Sequence, residues 1–91
     1  MNTLELVYTS QFVKDLRKMQ KQHKKLEKLH AIINQLAEKK TLETKHSDHL
    51  LKGNYIAYRE CHIEPDWLLI YKILDDQYLQ FARTGSHSEL F

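Results

Sequence analysis

Apolar positions along this chain change period once, and the change divides it into a helical half and a β half. Leu4 to Tyr8 alternates and is rich in β-formers, which predicts a short first strand. Ser10 follows as a candidate N-cap. Phe12, Leu16 and Met19 then recur at helical spacing and predict a helix from about Gln11 to Gln20. Leu26, Leu29, Ile33 and Leu36 form the apolar stripe of a second helix, from about Lys24 to Glu38. Lys39 to Gly53 is polar and reads as a loop. Beyond it, Tyr55 to His62, Trp67 to Leu74 and Tyr78 to Arg83 are aromatic and branched, the composition of strands. Ile63-Glu64-Pro65-Asp66 and Asp75-Asp76 supply the turns between them. Thr84-Gly85-Ser86 ends the last strand, and His87 to Phe91 is a short tail. The order is β-α-α-β-β-β, an α+β domain with a helical hairpin packed on an antiparallel sheet.

Two hairpins in series sort residues by end. The second strand finishes at His62, the third begins at Asp66-Trp67, and the fourth returns to finish at Arg83, with His87 and Phe91 just beyond. One end of the sheet therefore gathers His62, Asp66, Trp67, Arg83 and His87. The face is not fixed by this argument, because a one-residue slip turns a side chain over. A simple register places His62 with Trp67 and puts Arg83 on the opposite face; a bulge or a mobile tail would resolve the conflict.

Ninety-one residues, with 42% hydrophobic and 29% charged, describe one ordinary globular domain spanning 1–91. Fourteen basic residues are offset by twelve acidic ones, so a net charge of +2 says little about nucleic acid. Their placement says more. Lys14, Lys18, Lys21, Lys25 and Lys28 recur at spacings of three and four, a cationic ridge suited to phosphates or, equally, a solvated helix face. Cys61 is the sole cysteine, which precludes an internal disulfide and fits a reducing cytoplasm. It reads as a small buried hydrophobe. No basic segment followed by a long apolar run opens the chain, so neither a signal peptide nor a membrane partner is expected.

Two histidines, a carboxylate and an arginine suit phosphodiester cleavage in RNA. The 2′-OH must lose a proton and the 5′-oxygen must gain one, both within reach of imidazole near neutrality. Arg83 can pair with the extra charge on a pentavalent phosphate. Trp67 and Phe91 offer flat faces to bases. The histidines lack the close spacing of an H-E-x-x-H site and carboxylates are sparse around them, so neither metal nor cofactor is expected. Each residue also has a plain structural reading: Trp67 as core, Arg83 as a rim pair with Asp66 or Glu64, Asp66 as a turn former. His23, His30 and His46 are assigned no role.

Three blocks carry a family resemblance. Asp48 to Lys72 reads D-H-L-L-K-G-N-Y-I-A-Y-R-E-C-H-I-E-P-D-W-L-L-I-Y-K, and Phe81 to Phe91 reads F-A-R-T-G-S-H-S-E-L-F. With Y-T-S-Q-F-V-K-D-L near the start, they resemble the YafQ-type toxins of the RelE/ParE superfamily over essentially the whole chain. The resemblance implies a RelE-like fold and a type II toxin that cuts messenger RNA in the ribosomal A site. It implies a cognate antitoxin, typically ribbon-helix-helix, that silences the toxin and with it binds operator DNA. Residue by residue, it marks His49, His62, Asp66 and His87 for acid–base chemistry or substrate positioning, with His87 as the acid and the base left open among the other three. Arg83 is marked for phosphate stabilisation, and Trp67 and Phe91 for substrate contact; Lys14, Lys18 and Lys25 are the ridge candidates for RNA. The competing class is a ParE-like module that inhibits gyrase without cutting RNA, for which His62 and His87 together have no use.

Overall fold

Each element forms where the sequence can bury one side of it. In a computed structural model of the chain, which describes residues 3–91, Glu5–Tyr8 is strand β1 and Ser10–Lys21 is helix α1. Leu26–Ala37 is helix α2. A 3-10 turn, Thr44–His46, leads to a two-residue strand β2, His49–Leu50. A second 3-10 turn, Gly53–Tyr55, precedes β3, Arg59–Glu64. Strand β4 is Trp67–Leu74, β5 is Tyr78–Gly85, and α3 is His87–Leu90. The expected order stands, with two additions. The polar loop contributes a short edge strand, and the tail is a helical turn.

The sheet runs β1-β5-β4-β3-β2, and it is mixed. The expected antiparallel pairing holds from β2 to β5, but β1 lies parallel to β5. The helical hairpin separates β1 from the meander and carries the chain over one face, so β1 joins the open edge of β5 in the same direction. Thr9, not Ser10, caps α1: its hydroxyl accepts from the Phe12 amide at 3.2 Å and donates to the Phe81 carbonyl at 2.8 Å. One side chain thus starts the helix and ties it to β5.

Both faces of the central strands are buried, which explains the unbroken apolar run from Trp67 to Tyr71. Phe12, Met19, Leu29, Ile33 and Leu36 of the helices meet Cys61, Trp67, Leu69, Tyr71, Leu79 and Phe81 on one face. On the other, Leu68 and Ile70 are covered by Leu90 of α3 and by Leu51, Tyr55 and Tyr58. The strand expected from Tyr55 begins only at Arg59, because residues 53–58 fold as a flap over this second face. Ala57 holds a φ of 74° there, which breaks the strand. No described helix is long and apolar enough to cross a membrane.

Candidate active site

The register of three strands sets the site. Glu60 pairs with Ile70 and Ile70 with Arg83, one row across β3, β4 and β5; His62 pairs with Leu68 and Leu68 with Gly85, the adjacent row. Directly paired residues share a face, so Glu60, His62 and Arg83 all lie on the second face. Arg83 reaches it through a bulge. Tyr71 pairs with Phe81 but Ile70 with Arg83, so Ala82 is the extra residue. Without Ala82 out of register, Arg83 would pair with Leu69 and point into the helix-side core. A second shift, in β3, completes the arrangement: Glu64 pairs with Trp67 but His62 with Leu68, so His62 leaves the face of Trp67 and joins Arg83 on the second face.

Trp67 is therefore corrected from base platform to core. It is fully buried on the helix face, its indole N–H donates to the Thr84 hydroxyl at 2.9 Å, and that hydroxyl donates to the Leu68 carbonyl at 2.7 Å. No ring face is left for a base.

Gly85 occupies His62's row without a side chain, and α3 folds over the gap. A Cβ there would meet Glu89 Oε1 at 3.1 Å and Leu90 at 3.4 Å. Ser86 and Glu89 cap α3 reciprocally. This places the His87 ring 5.6 Å from that of His62, centroid to centroid. Asp66 Oδ1 sits 3.1 Å from both the His87 amide and His87 Nδ1. Those hydrogen bonds from His87 hold the Asp66 carboxyl below its ordinary range. Phe91 is 62% exposed, with its ring 6.3 Å from His87 and 5.7 Å edge-on to Tyr55.

Hydrogen-bond logic assigns tautomers. His62 Nδ1 faces the Pro65 carbonyl at 3.2 Å, and a carbonyl can only accept, so Nδ1 carries a proton and the lone pair of the neutral ring is on Nε2. His49 Nδ1 likewise faces the Ser47 carbonyl at 2.6 Å, while Nε2 lies 3.0 Å from Glu60 Oε2. With Nδ1 as the donor, a hydrogen bond between Nε2 and Glu60 requires a further proton on that pair. Asp48 accepts from Arg59 at 3.0 Å and from the Tyr71 hydroxyl at 2.7 Å, which fixes the loop that presents His49. Glu60 is buried, and its Oε1 has no partner among the described residues.

The family model described as a bacterial toxin of type II toxin–antitoxin systems, YafQ, matches residues 4–91. The mRNA interferase toxin YafQ of Escherichia coli K12 is 42% identical over 88 residues, 96% of this chain and 95% of that one. The crystal structure of the E. coli DinJ–YafQ toxin–antitoxin complex superposes at a TM-score of 0.88, with 40% identity over 98% of both chains. A metal-bound toxin from Helicobacter pylori superposes at 0.90, with 40% identity over 97% of this chain and 99% of that one. This chain belongs to the YafQ toxin family. The family's RelE-like α+β architecture is what the strands and helices above build.

Within this YafQ-family site the structure gathers His62, Asp66, Arg83, His87 and Phe91, with His49 beside them through Glu60. Arg83 does not pair with Asp66 or Glu64. Its Nε and Nη2 reach Asp15 on α1 at 2.8 and 3.3 Å, and Asp15 raises its pKa further. Of the ridge, Lys14, Lys21 and Lys25 are exposed, while Lys18 meets Glu89 at 2.6 Å and Lys28 meets Glu64 at 2.8 Å. Sequence reasoning missed Glu60, Tyr55 and Asp15. A signal existed for Glu60: Glu60 and His62, two residues apart on one strand, are polar positions on a common face. Asp15 gave none, because one acid on a charged helix surface looks ordinary.

Proposed function

We propose that this YafQ-family toxin cleaves messenger RNA on the ribosome by metal-independent acid–base chemistry in the cytoplasm, and that a cognate ribbon-helix-helix antitoxin holds it silent. The endoribonuclease activity follows the mRNA interferase relatives, and the antitoxin follows the complexed relative. The observation that carries the reading is the His62–His87 pair, 5.6 Å apart, with Asp66 bonded to His87 and Arg83 on the same sheet face.

His62 Nε2 takes the proton of the 2′-OH. The 2′-oxygen attacks phosphorus, and the bond from phosphorus to the 5′-oxygen breaks. His87, oriented through Nδ1 by Asp66, gives the leaving 5′-oxygen its proton. The products are a 2′,3′-cyclic phosphate and a 5′-OH. Arg83 keeps N–H groups beyond those given to Asp15, and these meet the charge that builds on phosphorus. Phe91, exposed beside His87, stacks on a base next to the scissile phosphate. Lys14 and Lys25 contact ribosomal RNA phosphates. A gyrase-binding role leaves the paired histidines without use.

The donors of Glu60, His62 and His87 lie within 4.8 Å of one another and suit a borderline cation chemically. Ligands of a tetrahedral zinc with bonds of ~2.0–2.1 Å sit only about 3.3 Å apart, so the donors must close up to hold one. A cation there would compete with the proton that His62 must accept and His87 must carry, and the reaction above is derived without it. The test is to incubate the toxin with translating ribosomes and map the new 5′ ends. Cuts ending in 5′-OH are expected, and a 2′-deoxy sugar at the scissile position should abolish them. Undiminished cutting at the deoxy site would end the mechanism.

A further inference from the structure

Gln11, Asp15, Lys18 and Gln22 recur at i, i+4, i+7 and i+11, which puts them in one row along α1 and its C-cap. Every member of the row is bonded within this network. Asp15 is buried and accepts from Gln11 Nε2 at 3.2 Å, Arg83 Nε at 2.8 Å, Arg83 Nη2 at 3.3 Å and the Thr84 amide at 3.1 Å. Lys18 Nζ lies 2.6 Å from Glu89 Oε2, and Gln22 Nε2 donates to that oxygen at 3.3 Å. The other oxygen of Glu89 accepts from the Ser86 amide at 2.8 Å.

The residues held by the row are those that flank the chemistry. Asp15 grips Arg83 and the backbone next to it. Glu89 lies two residues from both His87 and Phe91, in a helix of four residues too short to hold its own geometry. We infer that this polar row of α1 is a positioning device: Asp15 fixes Arg83, and Lys18 with Gln22 fixes His87 and Phe91 by gripping Glu89. The inference rests on the catalytic reading of Arg83 and His87. It also gives Lys18 a role that differs from a phosphate contact, and the two roles predict opposite things for Glu89. If the ridge acts only by charge, removing the Glu89 carboxylate strengthens RNA binding. If the row positions α3, removing it slows the cut.

The experiment compares Lys18→Ala, Lys18→Arg, Glu89→Gln, Asp15→Asn and His87→Ala in single-turnover cleavage at saturating ribosomes, with ribosome affinity and melting curves measured beside it. Lys18 is exposed, so Lys18→Ala keeps the test alive if Asp15→Asn fails to fold. Lys18→Ala and Glu89→Gln are each expected to slow the saturated rate about three- to fivefold, the scale of one exposed ion pair. Lys18→Arg is expected to restore it. Asp15→Asn is expected to cost on the order of 10²-fold, as a displacement of about 1 Å does. A saturated rate unchanged in Lys18→Ala and Glu89→Gln, with His87→Ala inactive, overturns the positioning role and leaves the catalytic reading intact. Full activity in His87→Ala overturns both.

Discussion

Asp66 touches His87 twice and is half of a hairpin turn, so its contribution can be separated from that of a base acting alone. The perturbation is a cycle of Asp66→Ala, His87→Ala and the double variant. Removing a positioned general acid costs about 10²–10⁴ in rate, so His87→Ala should fall in that range. Asp66 makes both contacts from one oxygen at 3.1 Å, with its side chain 69% exposed and that of His87 55% exposed. Contacts in that much water orient weakly, and Asp66→Ala should lose only about tenfold. Independent residues would multiply to about 10³–10⁵ in the double variant. If Asp66 acts only through His87, the double variant should match His87→Ala within about threefold, well below that product. The assay is single-turnover cleavage on ribosomes, read by primer extension, after melting curves show that all three variants remain folded. A double variant about tenfold slower than His87→Ala would refute the series arrangement and return Asp66 to the candidates for the base.

Thr84→Val leaves the buried indole N–H of Trp67 without its acceptor, and urea unfolding should show a loss of about 1–3 kcal/mol; unchanged stability would mean that the bond is not there. Asp75 and Asp76 both hold a φ of 52°, so Asp76→Gly should gain about 0.5–1 kcal/mol on chemical denaturation despite losing an exposed pair with Lys39. Hydrogen bonding to Lys18 and the Ser86 amide depresses Glu89 from 4.5 to about 2. A depressed carboxylate stabilises the fold fully above 4.5 and ceases to as pH falls through about 2. The melting difference between wild type and Glu89→Gln should shrink across that window, and a difference independent of pH would count against the pair. EDTA should leave cutting intact on ribosomes kept whole with Mg²⁺, whereas Zn²⁺ or Cu²⁺ added to the toxin beforehand should inhibit it; stimulation by either ion would contradict the acid–base scheme.

The fold was largely readable because its signals are local. Period 3.6 gave way to period 2 at the right place, and Pro65 and the Asp75-Asp76 pair punctuated the strands. What the chain did not disclose were features decided by tertiary contact. The parallel partner of β1 depends on where the helical hairpin delivers it, not on Leu4 to Tyr8. The flap over residues 53–58 has strand-like composition, yet Tyr55 and Tyr58 gain more by covering Leu68 and Ile70 than by extending the ladder. The tail reads as five loose residues until Ser86 and Glu89 are seen as a capping box, a spacing that was visible in S-H-S-E.

The site divides along the same line. Hairpin geometry alone brought His62, Asp66, Arg83 and His87 to one end of the sheet, because ends are set by turn positions. Faces are set by register, and two local shifts, one at Ala82 in β5 and one between His62 and Glu64 in β3, decided the partition. Trp67 went to the core, and His62 came to the face that carries Arg83. Alanine advertises nothing, since a bulge is stabilised by what its neighbours reach. Here those neighbours are Arg83 and the Thr84 amide, both converging on Asp15. The buried acid on α1 therefore links the catalytic face to the helical core. It accepts bonds from the residues on the chain's C-terminal side of the bulge, and displacing it would disturb Arg83 and the register of β5 together.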